Sequence, residues 1–138
     1  MSRLPLDKPL YVRIDFGQLP VDAINSILGT ELDPGRVYLS SQAHRHVAED
    51  HPDDYAACLA ALPITISSPS FIGQAPRHVG NFEMVRRINR PDGRVVLAAI
   101  GLEPDARGDY RIRSCYLVSA TTIDARRRAG ILKPAPPI

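Results

Sequence analysis

Three consecutive strand-like segments separated by short turns constrain the fold more than any other feature of the chain. NFEMVRRI (81–88) leads through the turn NRPDG into RVVLAAIGL (94–102), and EPDARGD then leads to DYRIRSCYLVS (109–119). Short segments rich in apolar and aromatic residues predict strands, and Pro, Asp and Gly between the segments predict tight turns. The pattern therefore predicts an antiparallel meander.

The N-terminal third alternates between short strands and a helix. LYVRIDF (10–16) has the alternation of a half-buried strand, with Val12, Ile14 and Phe16 on one side. Residues 20–28 have apolar positions at helical spacing, and Gly29 is a natural helix end. The sequence VYL after the turn LDPGR predicts a second short strand.

Two helices with a kink between them follow. Ser40 and Ser41 are good N-cap residues for a helix over residues 41–50, and Pro52 disfavours helical geometry at the residue before it. A second helix can begin at Pro52. Its apolar stripe consists of Tyr55, Leu59 and Leu62. PITISSPSFIGQAP (63–76) then predicts a strand followed by a loop.

The C-terminus predicts a short helix and a loose tail. Thr121 or Thr122 can cap the helix, which ends at Gly130, and the Pro-rich residues 133–138 form the tail. Together the segments predict an α+β fold in which N-terminal helices pack on a roughly four-stranded antiparallel sheet. We expect one domain over residues 1–138, since 138 residues are too few for two comfortable cores.

Composition and charge narrow the class of protein only a little. No apolar run approaches the roughly 20 residues that span a bilayer, and the N-terminus lacks the apolar centre of a signal peptide, which predicts a cytoplasmic protein. Residues 1–70 carry 5 Lys/Arg against 9 Asp/Glu, whereas residues 71–138 carry 12 against 6. A basic half attracts phosphates and slightly favours a nucleic-acid partner.

The two cysteines, Cys58 and Cys115, lie far apart in the sequence and near no CxxC motif. A structural zinc site needs clustered ligands, so we predict two buried free thiols, with a single disulfide as the alternative. Histidines that bind metal from one helix usually stand four residues apart, and those at 44, 46 and 51 do not. The sequence therefore predicts neither a metal site nor a cofactor.

The histidines in HVAEDHP are the strongest candidates for chemistry. His46 shares a predicted helical face with Ala43 and Val47, which predicts half-burial, and Asp50 lies one turn on and can orient its ring. His51 lies at the kink, where functional side chains concentrate. The pair could supply a general base and a general acid. The structural alternative is a packed His46 and a surface His51 at a helix end.

The basic residues of the meander are candidates for binding phosphate. Arg86 and Arg87 face opposite sides of a strand, so only one can face a given site. We predict Arg86 as catalytic and Arg87, Arg111 and Arg113 as substrate-binding, because a guanidinium binds phosphate with two hydrogen bonds. Solvated surface charge is the alternative for each, and it is the prediction for the arginines at 126–128.

Ser114 and Tyr116 are predicted to share one face of the last strand with Tyr110, Ile112 and Val118. No GxSxG surrounds the serine, so its useful role is a hydrogen bond to a phosphate oxygen, while the tyrosine can be a core residue. The chain also contains no GxxxxGK[ST], no GxGxxG and no HExxH. These absences argue against nucleotide-driven and zinc-protease chemistry.

In order, the chain contains HVAEDHP, PITISSPSFI, a basic hairpin and YRIRSCYLVSATTIDARRRAGIL. This order resembles phage- and prophage-associated nucleases of the barnase–EndoU–colicin–RelE superfamily, over about residues 37–132. The resemblance places His46 and His51 in the helical motif, an arginine on the hairpin, and Ser114 and Tyr116 in the end strand. One departure is Asp50, since that position is usually basic.

The resemblance implies a metal-independent endoribonuclease with helices packed on a four-stranded antiparallel sheet, in many relatives a toxin. It implies that RNA, such as tRNA or another structured RNA, is the substrate and that a cognate inhibitor protein is a partner. Two other hypotheses stay open. One is a non-enzymatic module that binds RNA or a protein partner, and the other is transfer chemistry on a nucleotide such as NAD.

Overall fold

The predicted meander forms the centre of a larger sheet in the computed structural model, which describes residues 11–74 and 77–136. The strands found in these residues are β1 (Ile14–Gln18), β2 (Arg36–Leu39), β3 (Phe71–Gly73), β4 (Asn81–Arg86), β5 (Val95–Gly101), β6 (Tyr110–Val118) and β7 (Leu132–Pro134). The helices are α1 (Val21–Leu28), α2 (Ser41–Asp50), α3 (Tyr55–Ser67) and α4 (Ala120–Arg128).

The seven strands of the described residues lie in the order β1-β2-β6-β5-β4-β3-β7. The α+β class is confirmed, but the predicted four-stranded antiparallel sheet is wrong in size and direction, because β2 pairs with β6 in parallel. The predicted arrangement of the helices also differs. Along the N-terminal half of the chain, helices α1, α2 and α3 follow strands β1 and β2 in alternation, so they do not all precede the sheet. The two short N-terminal strands extend the meander because they continue its open edge.

The sheet is buried on both faces. One face, here called the helix face, packs against α1, α2 and α3 through a large apolar core that includes Ile24, Val47, Leu62, Phe82 and Ile112. The opposite face packs against α4 through a smaller cluster. This cluster contains Phe71, Val85, Val95, Leu97, Ile123 and Leu132.

The helix caps follow the sequence in two of three places. Gly29 ends α1 with φ 69°, the left-handed geometry that glycine adopts readily. The Ser40 side chain accepts a hydrogen bond from the Ala43 N–H at 3.1 Å and so begins α2. Ser119, rather than Thr121 or Thr122, begins α4, because its hydroxyl oxygen accepts from the Thr122 N–H at 3.1 Å.

The segment PITISS is helical, so the predicted strand over it is wrong. The helix α3 begins at Tyr55 rather than Pro52 and runs through Pro63 to Ser67. Burial of Leu62, Thr65 and Ile66 explains this outcome, since packing of an apolar helix against the sheet outweighs the hydrogen bond that a proline removes. The strand that follows covers Phe71–Gly73 alone.

Part of the tail predicted to be loose belongs to the sheet. Lys133 and Pro134 form β7 together with Leu132, and β7 pairs antiparallel with β3. Pro134 is tolerated because β7 is the last strand in the sheet order. Residues 137–138 lie outside the described residues.

Replacement of Gly73 by alanine is expected to lower the free energy of unfolding by about 1–3 kcal/mol, the usual cost of overpacking. A Cβ atom at Gly73 would meet the carbonyl oxygen of Ile131 and would lie 2.7 Å from Cδ2 of Leu132. Gly80→Ala is the control, since a Cβ there meets nothing within 4 Å. Thermal unfolding of both variants measures the difference, and equal Tm values would show that β7 does not pack closely on β3.

Both cysteines are buried and free, as predicted. Cys58 on α3 and Cys115 on β6 lie on the helix face, each with 0% exposure. The hydrogen bond with Cys58 and the burial of its own thiol raise the pKa of Cys115 well above the ordinary value. The thiol pair therefore joins α3 to the strand that carries Ser114 and Tyr116.

Candidate functional site

A bulge in β6 sets the composition of the candidate site. Ala99 of β5 pairs with Ser114, but the next residue, Ile100, pairs with Ile112, so Arg113 is an extra residue. The bulge corrects the predicted faces, because uninterrupted alternation placed Arg113 and Ser114 on opposite sides. Tyr110, Ile112, Cys115 and Leu117 belong to the core of the helix face, whereas Arg113, Ser114 and Tyr116 line a cavity.

This cavity, here called the Glu83 cavity, has a volume of about 230 Å³. It is lined by His78, Asn81, Glu83, Ala99, Arg113, Ser114 and Tyr116. A methyl group at Gly101 would lie 3.2 Å from Nε of Arg113, so the absence of a side chain at Gly101 gives the guanidinium its space. The cavity brings together three of the predicted site residues, Arg113, Ser114 and Tyr116.

Glu83 is the functional candidate that the sequence interpretation missed. It is 5% exposed, and its Oε1 accepts a hydrogen bond from Nη1 of Arg126 at 2.8 Å. No described residue donates a hydrogen bond to Oε2, which leaves that oxygen for a ligand in the cavity. A carboxylate inside the apolar strand NFEMV was the available signal, because buried acids are rare without a partner.

Arg126 is not solvated surface charge, as had been predicted for the arginines at 126–128. Its side chain is 27% exposed and that of its partner Glu83 is 7% exposed, so the ion pair is largely shielded from water, and its carboxylate lines the cavity. Ion pairs shielded from water in this way are screened less by salt than surface pairs. The last turn of α4 therefore places a positive charge beside the carboxylate.

Tyr116 connects the cavity to the kink between α2 and α3. Its ring stacks on His51 with centroids 5.4 Å apart and an interplanar angle of 29°. Burial and the charge of Glu83 raise the pKa of Tyr116, while Arg126 lowers it. The net shift is upward, so the hydroxyl stays protonated at neutral pH and can donate a hydrogen bond.

Asp54 fixes the kink that carries His51. Its Oδ2 accepts a hydrogen bond from the Leu117 N–H at 3.3 Å, and its Oδ1 lies 3.4 Å from Nη1 of Arg94. Strand β2 pairs with β6 only at Tyr110 and Arg111. The Asp54 hydrogen bond joins the start of α3 to a later part of β6, which β2 does not cover. His51 is the C-cap residue of α2 and is partly exposed.

A second depression of about 240 Å³, here called the His46 depression, lies between α2 and β6. Its lining residues are Ser40, Gln42, Ala43, His46, Arg111, Ile112 and Arg113. Arg113 belongs to both depressions, so the two are neighbours with one guanidinium between them. Arg111 and Arg113 are both exposed on β6, which is compatible with their predicted role in binding.

His46 is exposed, so its predicted half-burial is wrong. Its side chain is 61% exposed, and its Nδ1 lies 3.5 Å from Oδ2 of Asp50, whose side chain is 64% exposed. The predicted proximity of Asp50 to His46 is confirmed. Both residues point away from the core because α2 buries Ala43, His44 and Val47 instead.

The buried histidine of α2 is His44, which is 4% exposed. Its Nδ1 lies 2.8 Å from the carbonyl oxygen of Val12, and its Nε2 lies 2.6 Å from the hydroxyl of Tyr55. Val12 itself is 55% exposed and precedes β1, so the strand predicted over residues 10–16 begins later, at Ile14. His44 therefore has a structural role that joins three segments.

The hairpin arginines lie outside the Glu83 cavity. Nη1 of Arg86 donates to the carbonyl oxygen of Ser68 at 2.8 Å and so completes the end of α3. Arg87 lies over the ring of Phe71, 5.0 Å from its centroid. Arg90 and Arg94 form ion pairs with Asp92 at 3.0 Å. The structure thus does not bring Arg86 or Arg87 together with Ser114 and Tyr116.

His78 enters the cavity from a segment that the sequence interpretation left as a loop. It precedes β4 in the turn RHVG, is exposed, and lines the cavity with Glu83. A lone histidine in a loop carries no spacing signal, so only the fold reveals its neighbours. The cavity therefore contains a carboxylate, an imidazole, a guanidinium, a hydroxyl and a phenol.

Within residues 11–74 and 77–136, no cluster of three or more His, Cys, Asp or Glu side chains is arranged to hold a metal ion. No helix in this part of the chain has the length and apolar character needed to cross a membrane.

Comparison with known proteins gave no relatives. No family model, no curated protein and no solved structure matches the chain.

Proposed function

We propose that the protein is a metal-independent endoribonuclease whose active site is the Glu83 cavity. One observation carries the proposal. A nearly buried carboxylate with an oxygen left for a ligand lies in the same small cavity as His78, Arg113 and Ser114. A general base, a general acid and phosphate-binding groups are the components that cleavage of RNA through its own 2′-hydroxyl requires.

The dimensions of the cavity favour a polymer over a free nucleotide cofactor. Its volume of about 230 Å³ is below the roughly 300–1,000 Å³ of sites that enclose a whole small molecule. The His46 depression lies next to it, and Arg113 lines both. Two adjacent shallow sites that share a guanidinium suit successive units of a polyanionic strand, which argues against the NAD hypothesis.

In the proposed reaction, Oε2 of Glu83 accepts the proton of a ribose 2′-hydroxyl, and the oxygen attacks the adjacent phosphorus. His78 in its protonated form donates a proton to the leaving 5′-oxygen, so the strand breaks and a 2′,3′-cyclic phosphate forms. Arg113 and Ser114 bind the non-bridging oxygens, and the Tyr116 hydroxyl donates a further hydrogen bond. Each proton-transfer group contributes roughly 10²–10⁴ in rate.

The roles of His46 and His51 in this proposal differ from those first predicted. His51 contacts the outer side of the Tyr116 ring, so it positions the tyrosine, in place of acting as an acid or base. His46, whose ring lies 3.5 Å from Asp50, lines the His46 depression and in this proposal contacts the substrate strand next to Arg111. The proposal also extends to tRNA or another structured RNA as substrate and to a cognate inhibitor protein.

A second candidate, a non-enzymatic RNA-binding module, is favoured by the ion pair of Glu83 with Arg126. A carboxylate held by a guanidinium at 2.8 Å can be a structural element of the wall. Such a module would bind RNA through Arg111 and Arg113 with a steep dependence on salt and would leave the strand intact.

Incubation of the purified protein with single-stranded RNA in EDTA tests the proposal. We expect defined RNA fragments and no fragments from the all-deoxy strand of the same sequence, because DNA lacks the 2′-hydroxyl that attacks the phosphorus. Gel electrophoresis of labelled strands measures both reactions. Retention of intact RNA by the protein would support the binding module, and cleavage of both strands would exclude the proposed chemistry.

A further inference from the structure

Two arginines from different elements share one aromatic ring on the far side of α4. The Cζ atoms of Arg87, after β4, and Arg127, on α4, lie 5.0 and 4.7 Å from the ring centroid of Phe71. Phe71 is only 4% exposed, whereas both arginines are exposed. Cation–π contacts hold the two guanidinium groups at the ring while both arginines stay accessible to solvent.

Neither arginine forms an ion pair with a carboxylate of the described residues, in contrast to Arg90 and Arg94. A depression of about 480 Å³ adjoins Arg127 between α4 and β7. It is lined by Asp124, Arg127, Arg128, Gly130, Leu132, Lys133 and Pro134. Three cationic side chains against one acid leave this region with excess positive charge, and we call it, with Arg87, the Phe71 surface.

The Phe71 surface and the Glu83 cavity lie on the same face of the sheet, on either side of α4. Phe71 belongs to the smaller core cluster with Val85 and Leu97. In the strand order, β3 is three positions from β6, which corresponds to about 14 Å at the usual strand spacing. Arg126 points from α4 to Glu83, and Arg127 points to Phe71. A strand that leaves the cavity can therefore cross α4 and reach the Phe71 surface.

We propose that the Phe71 surface binds the phosphate backbone of an RNA strand that occupies the Glu83 cavity. This inference rests on the proposed function, since it assigns a path to the same substrate. Guanidinium groups fixed in pairs suit successive phosphates because each offers two parallel donors. A membrane partner fits less well, because the one aromatic ring of the surface is buried and the large exposed apolar residues, Val12, Ile64 and Val79, are not part of it.

Binding of a 12-nucleotide 2′-O-methyl RNA, which cannot be cleaved, tests the inference by fluorescence anisotropy. The double variant Arg87→Gln/Arg127→Gln is compared with Arg36→Gln/Arg107→Gln, which removes the same charge from exposed positions elsewhere. We expect the first variant to bind at least about tenfold more weakly and to lose about 0.7 in the slope of log K against log salt for each arginine. The control should match the parent.

Oligonucleotide length separates this inference from the proposed function. The loss of affinity in Arg87→Gln/Arg127→Gln, relative to the parent, should be small for a dinucleotide, which fills only the Glu83 cavity. It should grow with oligonucleotide length up to the 12-mer. Equal losses at every length, equal binding by both double variants, or binding of the parent to anionic phosphatidylserine vesicles but not to RNA would each overturn the inference. Failure of the parent to cleave RNA while the length-dependent loss persists would reject the nuclease chemistry alone.

Discussion

Replacement of Glu83 by glutamine is expected to lower kcat for RNA cleavage by roughly 10²–10⁴-fold, the contribution of one general base. The amide keeps the shape of the side chain and an oxygen that accepts from Arg126, but it cannot take a proton from the 2′-hydroxyl. Single-turnover cleavage of a labelled RNA at saturating protein measures the effect. Binding of the uncleavable 2′-O-methyl strand should change much less than kcat.

Glu103→Gln is the matched control because Glu103 is exposed in the loop between β5 and β6. It removes the same charge and should cleave at the parent rate. Thermal unfolding of both variants separates chemistry from stability, since removal of one charge from a shielded pair costs stability. A folded Glu83→Gln variant that cleaves as fast as the parent would show that Glu83 is only part of the wall.

The second large effect is expected from the histidines, to which the proposed mechanism gives three different roles. His78→Ala should lower kcat by roughly 10²–10⁴-fold because it removes the general acid. His46→Ala should act mainly on KM, since His46 lines the neighbouring depression. Steady-state cleavage of one RNA by the three alanine variants, at 46, 51 and 78, measures both constants.

His51 has a sharper test, because its proposed role is to stack on Tyr116. His51→Ala removes the stack and should reduce kcat, whereas His51→Phe retains a planar ring and should restore most of the rate. If phenylalanine is as inactive as alanine and His78→Ala is fully active, His51 is the proton donor, as the motif HVAEDHP first indicated.

Local patterns in the sequence predict most elements of this fold. The meander, the helix α2 with its Ser40 cap and the Gly29 helix end follow from period, capping and turn chemistry, which act within a few residues. The sheet order does not follow in this way. The parallel pairing of β2 with β6 and the pairing of β3 with β7 join segments far apart in sequence, and no local pattern encodes them.

The wrong predictions about which side chains of β6 and α2 are buried also have causes outside the local sequence pattern. The bulge at Arg113 shifts the alternation by one residue, which turns Ser114 and Tyr116 away from Ile112. On α2, both His44 and His46 are compatible with a helix. Hydrogen bonds to the Val12 carbonyl oxygen and the Tyr55 hydroxyl decide that His44 is the buried one, and this information lies outside the helix.

The candidate site was predictable only in part, because several of its residues come from segments that are far apart in the sequence. Arg113, Ser114 and Tyr116 lie on one strand and were each predicted as site residues, although only the bulge brings Arg113 to the cavity with the other two. Glu83, Arg126 and His78 come from β4, α4 and a turn, and only the tertiary fold places them at the same cavity. Arg86 is the opposite case. The sequence predicted it as a catalytic residue, but its guanidinium donates a hydrogen bond to the Ser68 carbonyl oxygen at the end of α3.

The chemical structure of the new 3′ end tests the central claim most directly. A DNA strand with one ribonucleotide is incubated with the protein in EDTA, and the fragments are weighed by mass spectrometry. We predict a single cut directly 3′ of the ribonucleotide, with a 2′,3′-cyclic phosphate on the upstream fragment and a 5′-hydroxyl on the downstream fragment. A 3′-hydroxyl with a 5′-phosphate, or an intact strand alongside unmodified RNA that is also intact, would contradict the assignment of the Glu83 cavity as a ribonuclease site.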